Sequence, residues 1–487
     1  MGLLEMAETV QDNEKEGNTM SRRIVGGWKH MLLLATLALG MSLLATSALG
    51  ASGGVVRVAV VTDCKGAFGG AFEVGAAGAN IALAQFAGGT VKNKQKPSAG
   101  ITGAKAGGKT IQVVGYGCGD DTPATILKET RRLMQQAKAD VMVGPLSGDE
   151  AVAVANWAKA RPSKTVIIGT AGSQDPTLQI APKNVFRYHG DGAQWNAGIG
   201  EIVYKKLGWR KAAIIMDDYS FGWTSGAGII ADFCAIGGQI TKRVFPPLNT
   251  TDYSSYVRQL PPPGQVDGYF WVVGGTGTGP ALKAFEQAYG QIKPTQHSGN
   301  LFLWFLTGFQ DVAPRLVGSY VGGFGTAPGL KGKAVNQYHA FAKKTYPGLT
   351  NANFDDGFLY NYYQGTKALI AGLNNSGGAI GARLQRALPK TLSAPFNLSN
   401  GGNVKLDSNR QAIQDQWPVQ IVRGANGDPA VTLTGYVPNV DQSFGGLFKK
   451  TSPPPGRTQP PCVKKTLPWQ GKIREVKNGR VTNTVIK

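Results

Sequence analysis

At 487 residues, with 42% hydrophobic and 17% charged side chains, the chain is too long for one simple core and too apolar to be disordered. The net charge of +21 is uneven, because residues 449–487 hold ten Lys or Arg against one acid, Glu475. No basic stripe interleaved with aromatics marks a nucleic-acid-binding module, and four Cys and four His without a CxxC or Cys/His cluster argue against a zinc site or a metal enzyme.

Met31–Ala48 is a long apolar stretch. Arg22, Arg23 and Lys29 precede it, and Ser47, Ala48, Gly50 and Ala51 follow. That order is the pattern of a secretory signal, with an uncleaved anchor as the alternative. Removal is expected through about Gly50, so residues 1–50 are read as extension and signal peptide. The acidic residues before it make Met20 the better start.

After Gly54 strands and helices alternate. VVRVAVVTD (Val55–Asp63) reads as a strand and Ala71–Ala87 as a helix with small residues along one side. Thr90–Lys109 is a Gly- and Lys-rich loop, Lys109–Gly117 a strand, and Thr122–Lys138 a helix with Thr122 as cap and Pro123 in its first turn. The centre of the chain is ADVMVGPLSGDE (Ala139–Glu150), a short apolar run, a small-residue turn and a helix start. Such a turn is where an open parallel sheet takes a small anion, or where Ser147 is simply a helix cap. TVIIGT (Thr165–Thr170) follows as another strand.

A second alternating block begins after Asn184–Asn196. Trp209–Asp218, Gln239–Pro247, Val266–Gly275 and Leu301–Gly308 read as strands, with helices at Ser225–Gly237, Asp252–Leu260 and Pro280–Tyr289. Two such blocks mean two α/β domains with parallel sheets. Gly318–Pro328 reads as a return crossing. Lys331–Tyr346 and Phe354–Leu373 are helices whose aromatics (Phe358, Tyr362, Tyr363) read as core, and Trp417–Val422 is a late strand. SPPPGRTQPP, from Ser452, marks a loose, solvated tail. Asp120-Asp121 and Asp217-Asp218 follow strands and read as helix caps or solvent-facing pairs. No G-x-S-x-G setting or nucleophile–base pair points to an enzyme, and GGTGTG lacks the GK[ST] of a phosphate loop.

Seven segments in order, VAVVTDCKGAFGG, VGPLSGDEAVAVA, GTAGSQDPTL, NVFRYHGDGAQ, AAIIMDDYSFGWTSG, TTDYSSYVRQL and DGYFWVVGG, resemble extracytoplasmic solute-binding proteins of the leucine/isoleucine/valine-binding kind. The resemblance runs from about Val55 to Phe448. It implies the type I periplasmic binding fold, two Rossmann-like lobes with parallel-core sheets joined by three crossover strands. One lobe would hold residues 55–187 and about 326–410, the other 188–325 and about 411–448, with 449–487 as a basic tail. It also implies a small-molecule ligand in the cleft, delivered to an ABC transporter permease by a monomer outside the cytoplasm, with no cofactor and no catalysis. A ligand-sensing domain on the same fold is the alternative.

By the same resemblance, Ser147 with Gly148, and Ala171, Gly172 and Ser173, would meet a ligand carboxylate. Phe68 and Phe221 would line the cleft, and Asp191 would face a ligand ammonium. Ser147 and Ser173 as caps, Asp191 as cap of a helix near Ala193, and Phe221 as packing are the structural alternatives. Thr276 and Thr307 stand where amino-acid-binding relatives carry an aromatic and an acid, which puts an α-amino acid in doubt and leaves a carboxylate, amide or aromatic acid. Export favours disulfides. In the expected strand order 2-1-3-4-5, Cys64 and Cys118 end neighbouring strands and are expected to pair, leaving Cys234 to Cys462.

Overall fold

The computed structural model describes residues 54–487, so the segment read as an export signal lies outside the described residues. Val55–Asp63 is buried on both faces from Val58 onward, which is why it reads as an apolar run without alternation. It pairs in parallel with Lys109–Gly119 on one side and Val141–Val143 on the other. Thr165–Ile167 and Val185–Phe186 complete the parallel set, and Lys105–Ala106 adds an antiparallel edge. The parallel strands therefore run 2-1-3-4-5.

Helix Phe72–Ala87 packs against helix Gly357–Ser376, and its small residues explain how closely. A Cβ on Gly78 would lie 2.1 Å from the Leu359 carbonyl oxygen, so only glycine fits there. Thr122 caps the next helix as expected, accepting from the Thr125 N–H. That helix is shorter than expected, ending at Arg131 and passing into a π-turn, Arg132–Gln136.

The second sheet repeats the pattern. Gln239–Val244, Lys211–Met216, Gly268–Val272, His297–Gly299 and Tyr320–Val321 lie parallel in that spatial order. Val419–Arg423 and Pro429–Leu433 extend it antiparallel. The strand expected at Leu301–Gly308 is displaced. Asn300 stops the His297–Gly299 strand by accepting from the Phe302 N–H, and two 3-10 turns follow, Leu301–Trp304 and Leu306–Phe309. A short apolar run does not by itself distinguish a buried strand from buried turns.

The chain passes between the two sheets three times. Near the first and third passages the Ala412 N–H donates to the Arg187 carbonyl at 2.9 Å, and at the second the Gly323 N–H donates to the Trp195 carbonyl at 2.7 Å. Beside them stands a third, antiparallel sheet, ordered Thr391–Ser393, Asn403–Leu406, Ala412–Gln416, Gly435–Val440, Arg474–Lys477, Arg480–Val485.

That sheet corrects the reading of residues 449–487 as a loose tail. Leu467, Trp469, Ile473 and Ile486 are 3, 2, 0 and 1% exposed. The Trp469 indole donates to Asp232 Oδ1 at 2.7 Å, and Lys205 Nζ donates to the Ile486 carbonyl. The apolar residues scattered among the lysines decide the outcome, since burying them outweighs the ordering cost that prolines and charges had suggested. Both disulfides form as paired above. Cα atoms are 5.1 Å apart in Cys64–Cys118 and 5.3 Å apart in Cys234–Cys462, which fastens the tail to helix Ser220–Ala235.

Candidate functional site

The C-terminal ends of both parallel sheets face one small cavity. The first lobe supplies the turns after its third and fourth strands, through Leu146, Ser147, Gly148, Thr170 and Gly172. It also supplies Phe68, on the 3-10 turn Gly66–Ala71. The second lobe supplies Tyr219 and Phe221, where helix Ser220–Ala235 begins, with Leu301 and Phe302 from the first 3-10 turn. Trp195, Phe324 and Phe358 complete the wall beside the crossings.

The wall is a ring of aromatics in mutual contact. Phe68 stacks on Phe302 at 5.7 Å between centroids, and Phe221 meets Phe302 edge-on at 5.6 Å. Phe324 meets Trp195 and Phe358 edge-on, each at 5.0 Å. Among the described residues no charged side chain lines the cavity. Its volume is only about 20 Å³ measured for the centre of a water-sized sphere, room for about one water. At that size the cavity admits no larger solute unless the lobes part or the rings turn.

Ser147 is the polar feature of this wall. It occupies the N-cap position of helix Gly148–Lys159 but makes no side-chain capping bond. It is 2% exposed, and its hydroxyl, beside the Asp121 carboxyl, makes no close hydrogen bond among the described residues. A buried hydroxyl left unpaired costs free energy, so its place in a cavity wall at a helix start fits a ligand acceptor. Gly144, before it, has φ 141, and a Cβ there would lie 2.2 Å from the Val61 carbonyl oxygen, so only glycine fits.

The other expected site residues divide. Phe68, Gly148, Gly172 and Phe221 line the cavity with Ser147. Ser173 does not, because its hydroxyl donates to the Gly148 carbonyl at 3.0 Å and ties the two turns together. Ala171 is fully buried, and its carbonyl accepts from buried Arg187, whose guanidinium also holds the Ser173 carbonyl. Asp191 is a capping-box residue, accepting from the Gln194 N–H at 2.9 Å and facing Arg187. Burial raises its pKa to about 6 despite the guanidinium. Thr276 and Thr307 are exposed and stand off the cavity.

Two further readings are corrected. Phe358, assigned to the core, is half-buried and reaches the cavity. Asp120 and Asp218 do make local and surface bonds, to Thr122 and Thr125 and to Trp223 and Arg457. Their neighbours Asp121 and Asp217, however, are buried. Trp195, Tyr219, Phe302 and Phe324 had carried no site signal. They come from four separate stretches, and only the closed fold brings their rings together.

The lobes meet across glycines. A Cβ on Gly148 would lie 2.8 Å from the Phe221 backbone nitrogen, and one on Gly275 would lie 2.4 Å from the Ala67 carbonyl oxygen. The Asp149 carboxylate also accepts from the Ser220 N–H at 3.0 Å across the same gap. Gly148→Ala is therefore expected to hold the lobes apart. Overpacking of about 1–3 kcal/mol at this contact would weaken solute binding about tenfold or more. Small-angle scattering should then show a larger radius of gyration than wild type; an unchanged radius with unchanged affinity would contradict the contact.

The family model for periplasmic binding proteins matches residues 55–428. The chain belongs to the periplasmic binding protein family. Solved structures share its fold at low identity. The solute-binding protein of an ABC transporter from R. palustris in complex with benzoate is 19% identical, over 78% of this chain and 96% of that one, with a TM-score of 0.61. One from Rhodopseudomonas palustris HaA2 in complex with p-hydroxybenzoic acid is 17% identical, over 80% and 98%, with a TM-score of 0.65. A leucine-binding protein from Thermotoga maritima is 16% identical, over 78% and 98%, with a TM-score of 0.60. No curated protein matches. The fold is thus the type I periplasmic binding fold that the seven segments implied, in a mixed α/β chain with two parallel-core sheets.

Proposed function

We propose that this periplasmic binding protein is the substrate-binding component of an ABC transporter, and that its solute is a small carboxylate with an aromatic or similarly flat apolar body. The observation that carries the reading is the unpaired Ser147 hydroxyl, set in a wall of aromatic rings at a helix start. The hydroxyl and the first N–H groups of helix Gly148–Lys159 suit a carboxylate. The rings suit an apolar body, which they enclose by stacking and edge contacts. Among the described residues no acid lines the cavity to meet an ammonium group, which supports an acid over an α-amino acid. The benzoates in two of the solved relatives have this chemistry.

On this reading the protein acts outside the cytoplasm as a monomer. It closes on the solute and presents it to a membrane permease without turnover. A thermal-shift panel of benzoates, their amides, aliphatic acids and branched-chain amino acids tests it, since a solute bound only by the folded state raises the melting temperature. Benzoates should give the largest shifts. A response confined to amino acids would overturn the ligand class.

A further inference from the structure

Three carboxyls lie behind Ser147, and the ligand reading leaves them unused. Asp63 ends the first strand, Asp121 follows the second, and Glu150 sits in the first turn of the helix that Ser147 opens. They are 0, 6 and 0% exposed. A Cβ on Gly119 would lie 2.2 Å from Asp63 Oδ1 and 2.3 Å from Glu150 Oε1, so these two carboxyls meet at that glycine. Asp121 Oδ2 accepts from the Ala67 N–H at 2.7 Å, and Glu150 Oε1 accepts from the N–H groups of Asp120 and Asp121. Among the described residues both oxygens of Asp63, Oδ1 of Asp121 and Oε2 of Glu150 have no close donor, and Asp63 faces Glu150 and Asp121 as the groups with which it can share a proton.

Among the described residues no Lys, Arg or His forms an ion pair with them. From the second lobe, buried Asp217 and Tyr219 face Asp121. The helix behind contributes Tyr362, whose hydroxyl donates to the Val61 carbonyl. Asp149 is engaged with Ser220, and Asp120 with Thr122 and Thr125, while exposed Lys65 faces Asp120. Among the described residues no group of His, Cys, Asp and Glu side chains is spaced to hold a metal ion. Three buried carboxylates without a counter-ion do not all stay ionised near neutral pH. Burial first pushes Glu150 up to about 7, with its hydrogen bond to Asp63 opposing the shift and the Asp121 charge adding to it; burial pushes Asp121 to about 6 and Asp63 well above the usual range.

Ser147 links this cluster to the cavity. It lies beside Asp121 on one side and forms the cavity wall on the other, with its buried hydroxyl unpaired. Resting on the reading that a carboxylate docks at Ser147, we propose that the Asp63–Asp121–Glu150 cluster takes up a proton when the anion binds, so that the protein captures the acid as anion plus proton. An anion at Ser147 places negative charge next to Asp121 and favours the protonated carboxyl. By linkage the protonated cluster holds the anion more tightly, and the proton comes from solvent. The sign follows: raising the pH ionises the cluster, which then repels the anion.

The test is calorimetric titration of the full chain with benzoate at about pH 5.5, 7 and 8.5, each in two buffers of different ionisation heat. The expected result is net proton uptake on binding, with affinity falling by up to about tenfold per pH unit through the cluster's titration range. Benzamide, which is neutral, should show neither effect. Glu150→Gln keeps an acceptor for the two N–H groups and removes one titrating site, and should flatten the dependence. If that variant does not fold, the wild-type proton count decides alone. Benzoate binding with constant affinity and no proton exchange would overturn this inference and leave the proposed function standing. Failure of benzoate to bind at any of these pH values would overturn both.

Discussion

Replacing Ser147 by alanine is expected to weaken carboxylate binding about ten- to a hundredfold, the loss of one charge-assisted hydrogen bond of roughly 1.5–3 kcal/mol. Apo stability should scarcely change. The hydroxyl makes no capping bond and lies beside the Asp121 carboxyl without a close hydrogen bond, so removing it breaks no cap. A cap would behave in the opposite way, because its loss costs about 1 kcal/mol of stability whatever the ligand does. Titration of wild type and variant, beside denaturant unfolding of both without ligand, separates the two roles. Equal affinities would mean that the carboxylate does not meet Ser147.

Changing Cys234 and Cys462 together to serine is expected to cost up to about 5 kcal/mol of stability, from the chain entropy of a long closed loop. The crosslink joins residues 228 apart in sequence. It also fastens a segment otherwise held by the pairing of Arg474–Lys477 with Gly435–Val440, by Trp469 on Asp232 and by buried apolar side chains. Ligand affinity should survive. Phe221 and Cys234 sit at opposite ends of one helix, about 20 Å apart at 1.5 Å per residue, so the cavity does not depend directly on the staple. Unfolding in denaturant with and without reductant reads the effect. An unchanged midpoint would mean that burial alone holds residues 449–487 in place.

What the sequence revealed follows from the range of the forces involved. The parallel strands were legible because they are buried on both faces, and Val55–Asp63 or Val141–Val143 carry that burial as unbroken apolar runs. Ser147 was legible because strand, turn and helix start are contiguous. The disulfide pairs followed once the strand order was known, since neighbouring strand ends bring Cys64 to Cys118. The C-terminal hairpin had a local signal that prolines and lysines obscured. Asn478-Gly479, both with positive φ, forms the two-residue turn between Arg474–Lys477 and Arg480–Val485.

The aromatic wall was not legible. Trp195, Phe302, Phe324 and Phe358 are each ordinary core residues to a local reading, and their role exists only when both lobes and the crossings converge. Burial of Asp121 and Asp217 was hidden for the same reason. An acid after a strand looks like a cap until the opposite lobe covers it. Ser173 and Asp191 show the reverse case, site positions by resemblance whose side chains are committed to holding the turns and the Arg187 network in place.

The most direct measurement is a crystal structure of the protein with benzoate. A carboxylate oxygen is expected about 2.5–2.7 Å from Ser147 Oγ, with the ring enclosed between Phe68 and Phe221. A benzoate bound elsewhere, or lying in this cavity with its carboxylate turned away from Ser147, would contradict it.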